Sequence, residues 1–462
     1  MSDRPLAPET TRYVTLAAAG AAAGGFLFGY DTSTMNSAIN GIRETLDLDA
    51  GTVGFVTAIS LIGAAIGAWF AGAVSERFGR TRVMLIAGGL ILLGSLGASL
   101  ASQVLLLGLF RAASGLGIGA ASAVVPSYVT EISPTSIRGR LGTFWQFAIV
   151  FGQLLGLLAG YALTRWAGDE AAAMPWGGAA WRWMFIVIAL LAVVYIVIAL
   201  RLPATPPDLV RLGHEDEART VLARINDRPV ADALASIKAT LTKQSETATL
   251  ADLRGPRFGL QPIVWTGILL AAFQQLVGIS IVKTYSNTLW QSVGVPSGAS
   301  FAVSIVTVLI SLGSTVVAIA IMDKIGRRTL LTAGAAVMVP ALGMMSAAFS
   351  TATGSGEDVR LGDGAGIVAL IGMNLFAIAF GVTWGPVMWL MLGELFDNDL
   401  RTIAVAVCTA VNWLTNWSIT RSFPTLAEIG LSYAYALYTV FALLAFLFAW
   451  RVLPETQDRA IG

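Results

Sequence analysis

The sequence predicts an all-α membrane protein, twelve transmembrane helices in two pseudo-symmetric six-helix halves, and three observations lead there. Only 12% of the 462 residues are charged while 56% are hydrophobic, with a mean hydropathy of +0.73; soluble chains carry roughly 25% charged residues. Apolar runs such as VTLAAAGAAAGGFLFGY (14–30), VMLIAGGLILLGSLGASLAS (83–102) and WMFIVIALLAVVYIVIAL (183–200) recur along the chain, and each approaches or reaches the ~20 residues that cross a bilayer. A charged stretch at 203–261 splits these runs into two sets of six.

In order, the spans are predicted at 14–37, 52–74, 83–102, 104–129, 141–164 and 183–202, then 262–290, 300–322, 329–350, 366–392, 403–424 and 432–453. The units are therefore an N-terminal half (1–202), a linker (203–261) and a C-terminal half with a short tail (262–462). In the linker, Leu209, Leu212, Ala218, Val221, Leu222 and Ile225 fall at near-helical spacing between charges, which predicts short amphipathic helices rather than a passive tether. Basic residues orient the chain. Arg77, Arg80, Arg82, Arg138, Arg140, Lys324, Arg327, Arg328 and Arg401 sit in the connections after the second, fourth, eighth and tenth spans, while the alternate connections are acidic. Both termini are expected on the cytoplasmic side of the inner membrane. Forty-nine glycines suit helices that approach closely in lipid.

The halves repeat a pattern in their loops. GAVSERFGRTR (72–82) follows the second span and MDKIGRRTL (322–330) the eighth; EISPTSIRGR (131–140) follows the fourth and ELFDNDLRTI (394–403) the tenth. The last two place a carboxylate seven positions before an arginine, Glu131 to Arg138 and Glu394 to Arg401. A duplicated unit of this kind marks many transporter folds. Glu76, Arg80, Glu131, Arg138, Arg327, Glu394 and Arg401 are the candidate cytoplasmic gate, ion pairs that break as that side opens.

GFLFGYD (25–31), ERFGR (76–80), PSYVTEISPTSIRGR (126–140), FQQLVGI (273–279), DKIGRR (323–328), WGPVMWLMLGELF (384–396) and LPET (453–456) occur in order nearly end to end. Together they resemble the sugar porter family of the major facilitator superfamily, which includes bacterial sugar–proton symporters. The resemblance implies the major facilitator fold and places Gln146, Gln153, Gln274, Gln275, Trp389, Asn412 and Trp413 at sugar-contacting positions. The chemistry agrees: amide side chains donate and accept at once, which suits a ring of hydroxyls, and an indole suits an apolar sugar face. Gln146 and Gln153 are seven residues apart, so they share a helix face.

Asp31 lies within the first span, where an ionised acid is costly; Arg111, early in the fourth, is its expected partner. The resemblance implies that Asp31 carries the coupled proton; a static structural pair is the alternative. Other positions depart from the family pattern. Ser280 stands for a usual asparagine and Thr284 for an aromatic that helps shut the outer gate, while Ala204 and Thr402 weaken the cytoplasmic network. Lys283 and Arg421 stand where apolar or neutral residues are usual, so they either line the outer vestibule as cations or snorkel to the interface.

The expected function is secondary active transport, proton-coupled uptake of a sugar or sugar-like polyol by a monomer. The alternatives are a facilitator or exporter of a modified or acidic sugar and, from another class, a non-transporting nutrient sensor. No enzymatic step, cofactor or nucleic-acid partner is expected. A single cysteine, Cys408, and a single histidine, His214, argue against a metal centre.

Overall fold

The structure, a computed structural model, describes residues 8–134, 137–225, 229–243, 250–256, 259–321, 324–353, 360–396 and 398–456. Six long helices come first: α1 (Pro8–Leu46), α2 (Ala50–Phe78), α3 (Arg80–Leu100), α4 (Val104–Ile132), α5 (Arg138–Ala167) and α6 (Ala180–Ala199). Three short ones follow, α7 (Pro206–Arg211), α8 (Glu215–Ile225) and α9 (Val230–Lys243). The rest are α10 (Pro262–Leu276), α11 (Ile279–Thr284), α12 (Ser286–Gln291), α13 (Ser297–Ile321), α14 (Arg327–Ser350), α15 (Asp363–Val382), α16 (Trp384–Leu395), α17 (Asn398–Ile429) and α18 (Leu431–Arg451). Among the described residues, twelve stretches are long and apolar enough to cross a membrane.

Two of the spans are interrupted, a departure from the continuous helices expected at 262–290 and 366–392. Gly278 takes the left-handed region (φ 87°) and ends α10, and Tyr285 (φ −115°, ψ 7°) separates α11 from α12. Thr383 (φ −122°, ψ −82°) separates α15 from α16. There Pro386 has no N–H for the carbonyl four residues back, and the Thr383 hydroxyl donates to the Ala379 carbonyl at 2.6 Å. Backbone groups freed this way are tolerated at membrane depth only beside protein or a wet cavity, and both breaks border the cavity described below.

Close backbone approach between α1 and α5 fixes the wall of that cavity. A Cβ on Gly29 would lie 1.8 Å from the Ile149 carbonyl oxygen, and one on Gly152 would lie 2.1 Å from that of Phe26. The same device joins α2 to α4, where a Cβ on Gly115 would lie 2.0 Å from the Ser60 oxygen. Outside the spans, Leu209, Ala218, Leu222 and Leu234 of α7–α9 form a small apolar core of their own. Leu212, expected in that face, is instead 41% exposed, because the chain turns there at the end of α7.

Gly29→Ala should therefore destabilise the protein, since overpacking typically costs about 1–3 kcal/mol. Gly72→Ala, with no neighbour within 4 Å of its Cβ, should be neutral or slightly stabilising because alanine favours helix. Thermal unfolding of both variants in detergent checks the pair; equal midpoints would contradict the α1–α5 contact.

Candidate functional site

A cavity of about 2380 Å³ runs between the first and last sets of spans. At one end it reaches the short helices, where Val210, Arg211, Glu215 and Lys238 line it together with Glu76 of α2. Its deep end is bounded by α1, α5, α11, α16 and α17.

At mid-depth the wall is a cluster of amides. Gln274 and Gln275 end α10 at the break, so the helix terminus presents them side by side. Gln275 Nε2 donates to Gln274 Oε1 (3.0 Å) and Asn412 Oδ1 (3.2 Å), Asn412 Nδ2 donates to Gln274 Oε1 (2.7 Å), and Ser280 Oγ donates to Gln275 Oε1 (2.9 Å). Gln146 and Gln153 of α5, Thr284 of α11, Trp389 of α16 and Trp413 of α17 line the same cavity. Trp413 packs on Phe28 with ring centroids 5.8 Å apart. Phe28, Trp145 and Asn416 also line the wall and were not among the residues singled out from the sequence. Asn416 was findable, being one helical turn beyond Asn412 and so on its face.

Asp31 and Arg111 are 4% and 2% exposed. Arg111 Nη1 donates to Asp31 Oδ1 at 2.5 Å and Nη2 to Ser60 Oγ at 3.1 Å, and the guanidinium lies 5.6 Å from the Phe185 ring centroid. Both residues also line the cavity. Lys283 lies deeper, on the cavity wall beside Thr284. Arg421 points elsewhere: its Nη1 donates to the Gly51 carbonyl at 2.8 Å, tying α17 to the start of α2, and it is not part of the cavity wall.

The charged loops form two clusters, one in each half. Arg80 pairs with Glu131 (2.7 Å) and with Asp208, whose Oδ2 accepts from the Arg80 backbone N–H (2.7 Å). Arg327 pairs with Glu394 (3.2 Å), and Glu455 Oε1 accepts from the Arg327 backbone N–H (2.8 Å). Each remote carboxylate thus sits at the N-terminus of α3 or α14, where N–H groups lack intrahelical partners and the helix dipole favours an anion. Glycine makes room for it: a Cβ on Gly326 would lie 2.3 Å from Glu455 Oε2, and Gly79 holds φ 85°. Asp208 supplies the carboxylate contact that Ala204 was expected to remove. Neither Asp208 nor Glu455 was singled out from the sequence, yet each follows its arginine by the same 128 residues, a repeat signal that finds both. Glu76 is exposed at the cavity mouth and forms no ion pair among the described residues. The side chains of Arg138 and Arg401 lie outside the described residues.

The opposite face is closed by hydrogen bonds between the halves. Asn40 Nδ2 donates to Gln291 Oε1 (2.7 Å), Thr288 Oγ1 to Asn40 Oδ1 (3.2 Å) and the Asn287 backbone N–H to Asn36 Oδ1 (3.0 Å). Gln291 Nε2 and Ser297 Oγ both donate to Glu170 Oε1, each at 3.4 Å. Tyr285 closes α11 onto α17 through its hydroxyl and the Thr420 carbonyl (3.1 Å).

Residues 17–461 match the family described as "Sugar (and other) transporter". The chain is 38% identical to a glucose transport protein of Synechocystis sp., with 97% of this chain and 96% of that protein covered. It is 32% identical to the D-xylose–proton symporter of Escherichia coli, with 95% and 92% covered. Among solved structures, it resembles the xylose transporter XylE from E. coli in a partially occluded inward-open conformation. There the TM-score is 0.84 at 29% identity, covering 97% of this chain and 100% of the other.

The closed face carries a pH dependence. Burial raises the Glu170 carboxyl above the ordinary carboxylate range, and neighbouring Asp169 pushes the same way. A group that holds its proton more tightly here than in water favours this arrangement as pH falls through the raised pKa, and disfavours it as pH rises above. Distances between spin labels at Glu44 and Ala299 should therefore shift toward the closed population as the pH is lowered from a neutral to an acidic value. Glu170→Gln should hold the closed distribution at both values; a pH response unchanged in that variant would remove Glu170 from the seal.

Proposed function

The chain belongs to the sugar porter family of the major facilitator superfamily, and on that premise we propose that it carries a sugar or sugar-like polyol across the bacterial inner membrane, coupled to protons. The observation that carries the substrate reading is the buried amide cluster of Gln274, Gln275 and Asn412 with Ser280, facing a cavity whose wall also presents the Trp389 and Trp413 indoles. Neutral donors and acceptors side by side on a cavity wall match sugar hydroxyls, which need both. The similar glucose transport protein and D-xylose–proton symporter support the same substrate class.

Binding at mid-depth, with rocking of the halves about the site, is alternating access. Arginines and lysines crowd the loops beside α7–α9, so that face and both termini are read as cytoplasmic. In that frame the conformation is inward-open, with the outer face shut by the Asn36, Asn40 and Glu170 contacts. The Arg80 and Arg327 clusters then stand apart on the two halves and are read as surfaces that meet when the cytoplasmic side closes.

Asp31 supplies the coupling. Ionised, it pairs with Arg111; protonated, it loses that attraction and frees α1 from α4. A proton taken up on one side therefore changes which interhelical contacts are stable, and its release on the other side restores them.

Two experiments test this in proteoliposomes loaded against a panel of radiolabelled sugars. Asp31→Asn should abolish uphill accumulation while preserving counterflow exchange; undiminished accumulation would rule the proton role out, and a wild type that only equilibrates would make the protein a facilitator. Gln275→Ala should weaken sugar binding by about 1–3 kcal/mol, as for a lost buried hydrogen-bond partner, which calorimetry on purified protein would read.

A further inference from the structure

Lys283 is the feature of the cavity that transport of a neutral sugar does not use. On α11, Ser280, Lys283 and Thr284 stand at i, i+3 and i+4 and so share one face, and all three line the cavity. Ser280 is tied to Gln275 at 2.9 Å, and Lys283 follows one turn later, about 4.5 Å along the axis at 1.5 Å per residue. Lys283 and Gln153 both line this cavity and a small recess beside it.

Nothing among the described residues balances the Lys283 ammonium. Among the described residues Lys283 makes no ion pair and no hydrogen bond, whereas the other cations on the wall are engaged: Arg111 with Asp31 at 2.5 Å, Lys238 with Glu215 at 2.6 Å and Arg211 with Asp208 at 3.6 Å. The polar side chains lining the recess with Lys283, those of Asn36, Gln153, Ser286, Ser304, Thr307 and Ser311, are all neutral. Asn36 Oδ1 accepts from the Asn287 N–H (3.0 Å), Ser304 Oγ donates to Ser286 Oγ (2.8 Å) and Thr307 Oγ1 donates to the Val303 carbonyl (3.0 Å). An unpaired cation held at membrane depth is costly and marks a functional partner.

Resting on the sugar reading above, we propose that Lys283 binds a carboxylate of the substrate, and that the cargo is an acidic sugar, a hexuronate, whose hydroxyls are held by the Gln274, Gln275 and Asn412 amides. A hexuronate differs from its hexose at the carbon outside the ring, so one carboxylate oxygen can reach the ammonium while the ring stays on the amides. Charge-assisted hydrogen bonds of this kind are roughly twice as strong as neutral ones. One lysine matches a monoanion; a sugar phosphate would bring a second negative charge, and among the described residues the other deep cations are engaged, Arg111 with Asp31 and Arg421 with the Gly51 carbonyl.

Binding of D-glucuronate against D-glucose, and D-galacturonate against D-galactose, tests this on the purified full-length protein by calorimetry. Wild type should prefer at least one acid over its neutral counterpart by tenfold or more. Lys283→Leu should collapse that ratio at least tenfold while keeping or improving affinity for the neutral sugar, and Lys283→Arg should retain the preference. Because the readout is a ratio within each variant, altered yield or stability does not move it; Lys283→Gln gives the same comparison should the leucine variant fail to fold. Neutral sugars bound as well as acids by wild type, or a ratio unchanged in Lys283→Leu, would overturn the assignment while leaving the sugar reading intact. Binding of none of the sugars, acidic or neutral, would overturn the sugar reading and the assignment with it.

Discussion

Polar groups carried into a hydrocarbon layer must find partners in the protein or water in a cavity, and this constraint shapes the inside of the molecule. Asp31 and Arg111 meet in an almost fully buried pair, with Ser60 taking a second guanidinium donor. The glutamines and Asn412 satisfy one another where α10 stops and the helix can no longer satisfy them. A site assembled this way is already organised before a ligand arrives, and a ligand that competes for the same hydrogen bonds exchanges partners without opening new unsatisfied groups.

The same economy of partners recurs at the ends of the helices. Asp208 and Glu455 come from segments that follow the sixth and twelfth spans, and each closes a helix that begins its own half's third span. Every such contact is internal to one half. The bonds that hold the far face, by contrast, join α1 and the loop before α6 to α12 and α13. In the rocking proposed above, contacts inside a half keep its shape and contacts between halves have to be remade; the two kinds are spatially separate here.

Much of this was legible in the sequence. Apolar runs located all twelve spans, and the paired loop motifs announced a duplication. The amide and tryptophan positions were named through the resemblance of the motifs to the sugar porter family, and the structure places them on the cavity wall. The breaks at Gly278 and Thr383 were hidden, since hydropathy continues unbroken through both. Asp208 and Glu455 were missed because a cap supplied from 128 residues away leaves no local pattern, and only the matching spacing in the two halves points to them. Arg421 was misleading for a related reason: its partner is a backbone carbonyl, Gly51, and carbonyls carry no sequence signature.

The missing counter-ion of Lys283 also has an electrical consequence. On the reading proposed above, the deep end of the cavity holds one uncompensated positive charge when empty, at Lys283, and one when loaded, at Arg111, because a carboxylate neutralises Lys283 while the proton on Asp31 removes the partner of Arg111. Alternating access changes the side of the membrane to which that charge is exposed. A full elementary charge crossing the field is worth about 2.3 kcal/mol per 100 mV, and a charge crossing part of it a proportionate fraction. The voltage across the membrane therefore acts on both crossings, in opposite directions, so that import of the anion with one proton moves no net charge and draws on the proton concentration gradient rather than on the membrane potential.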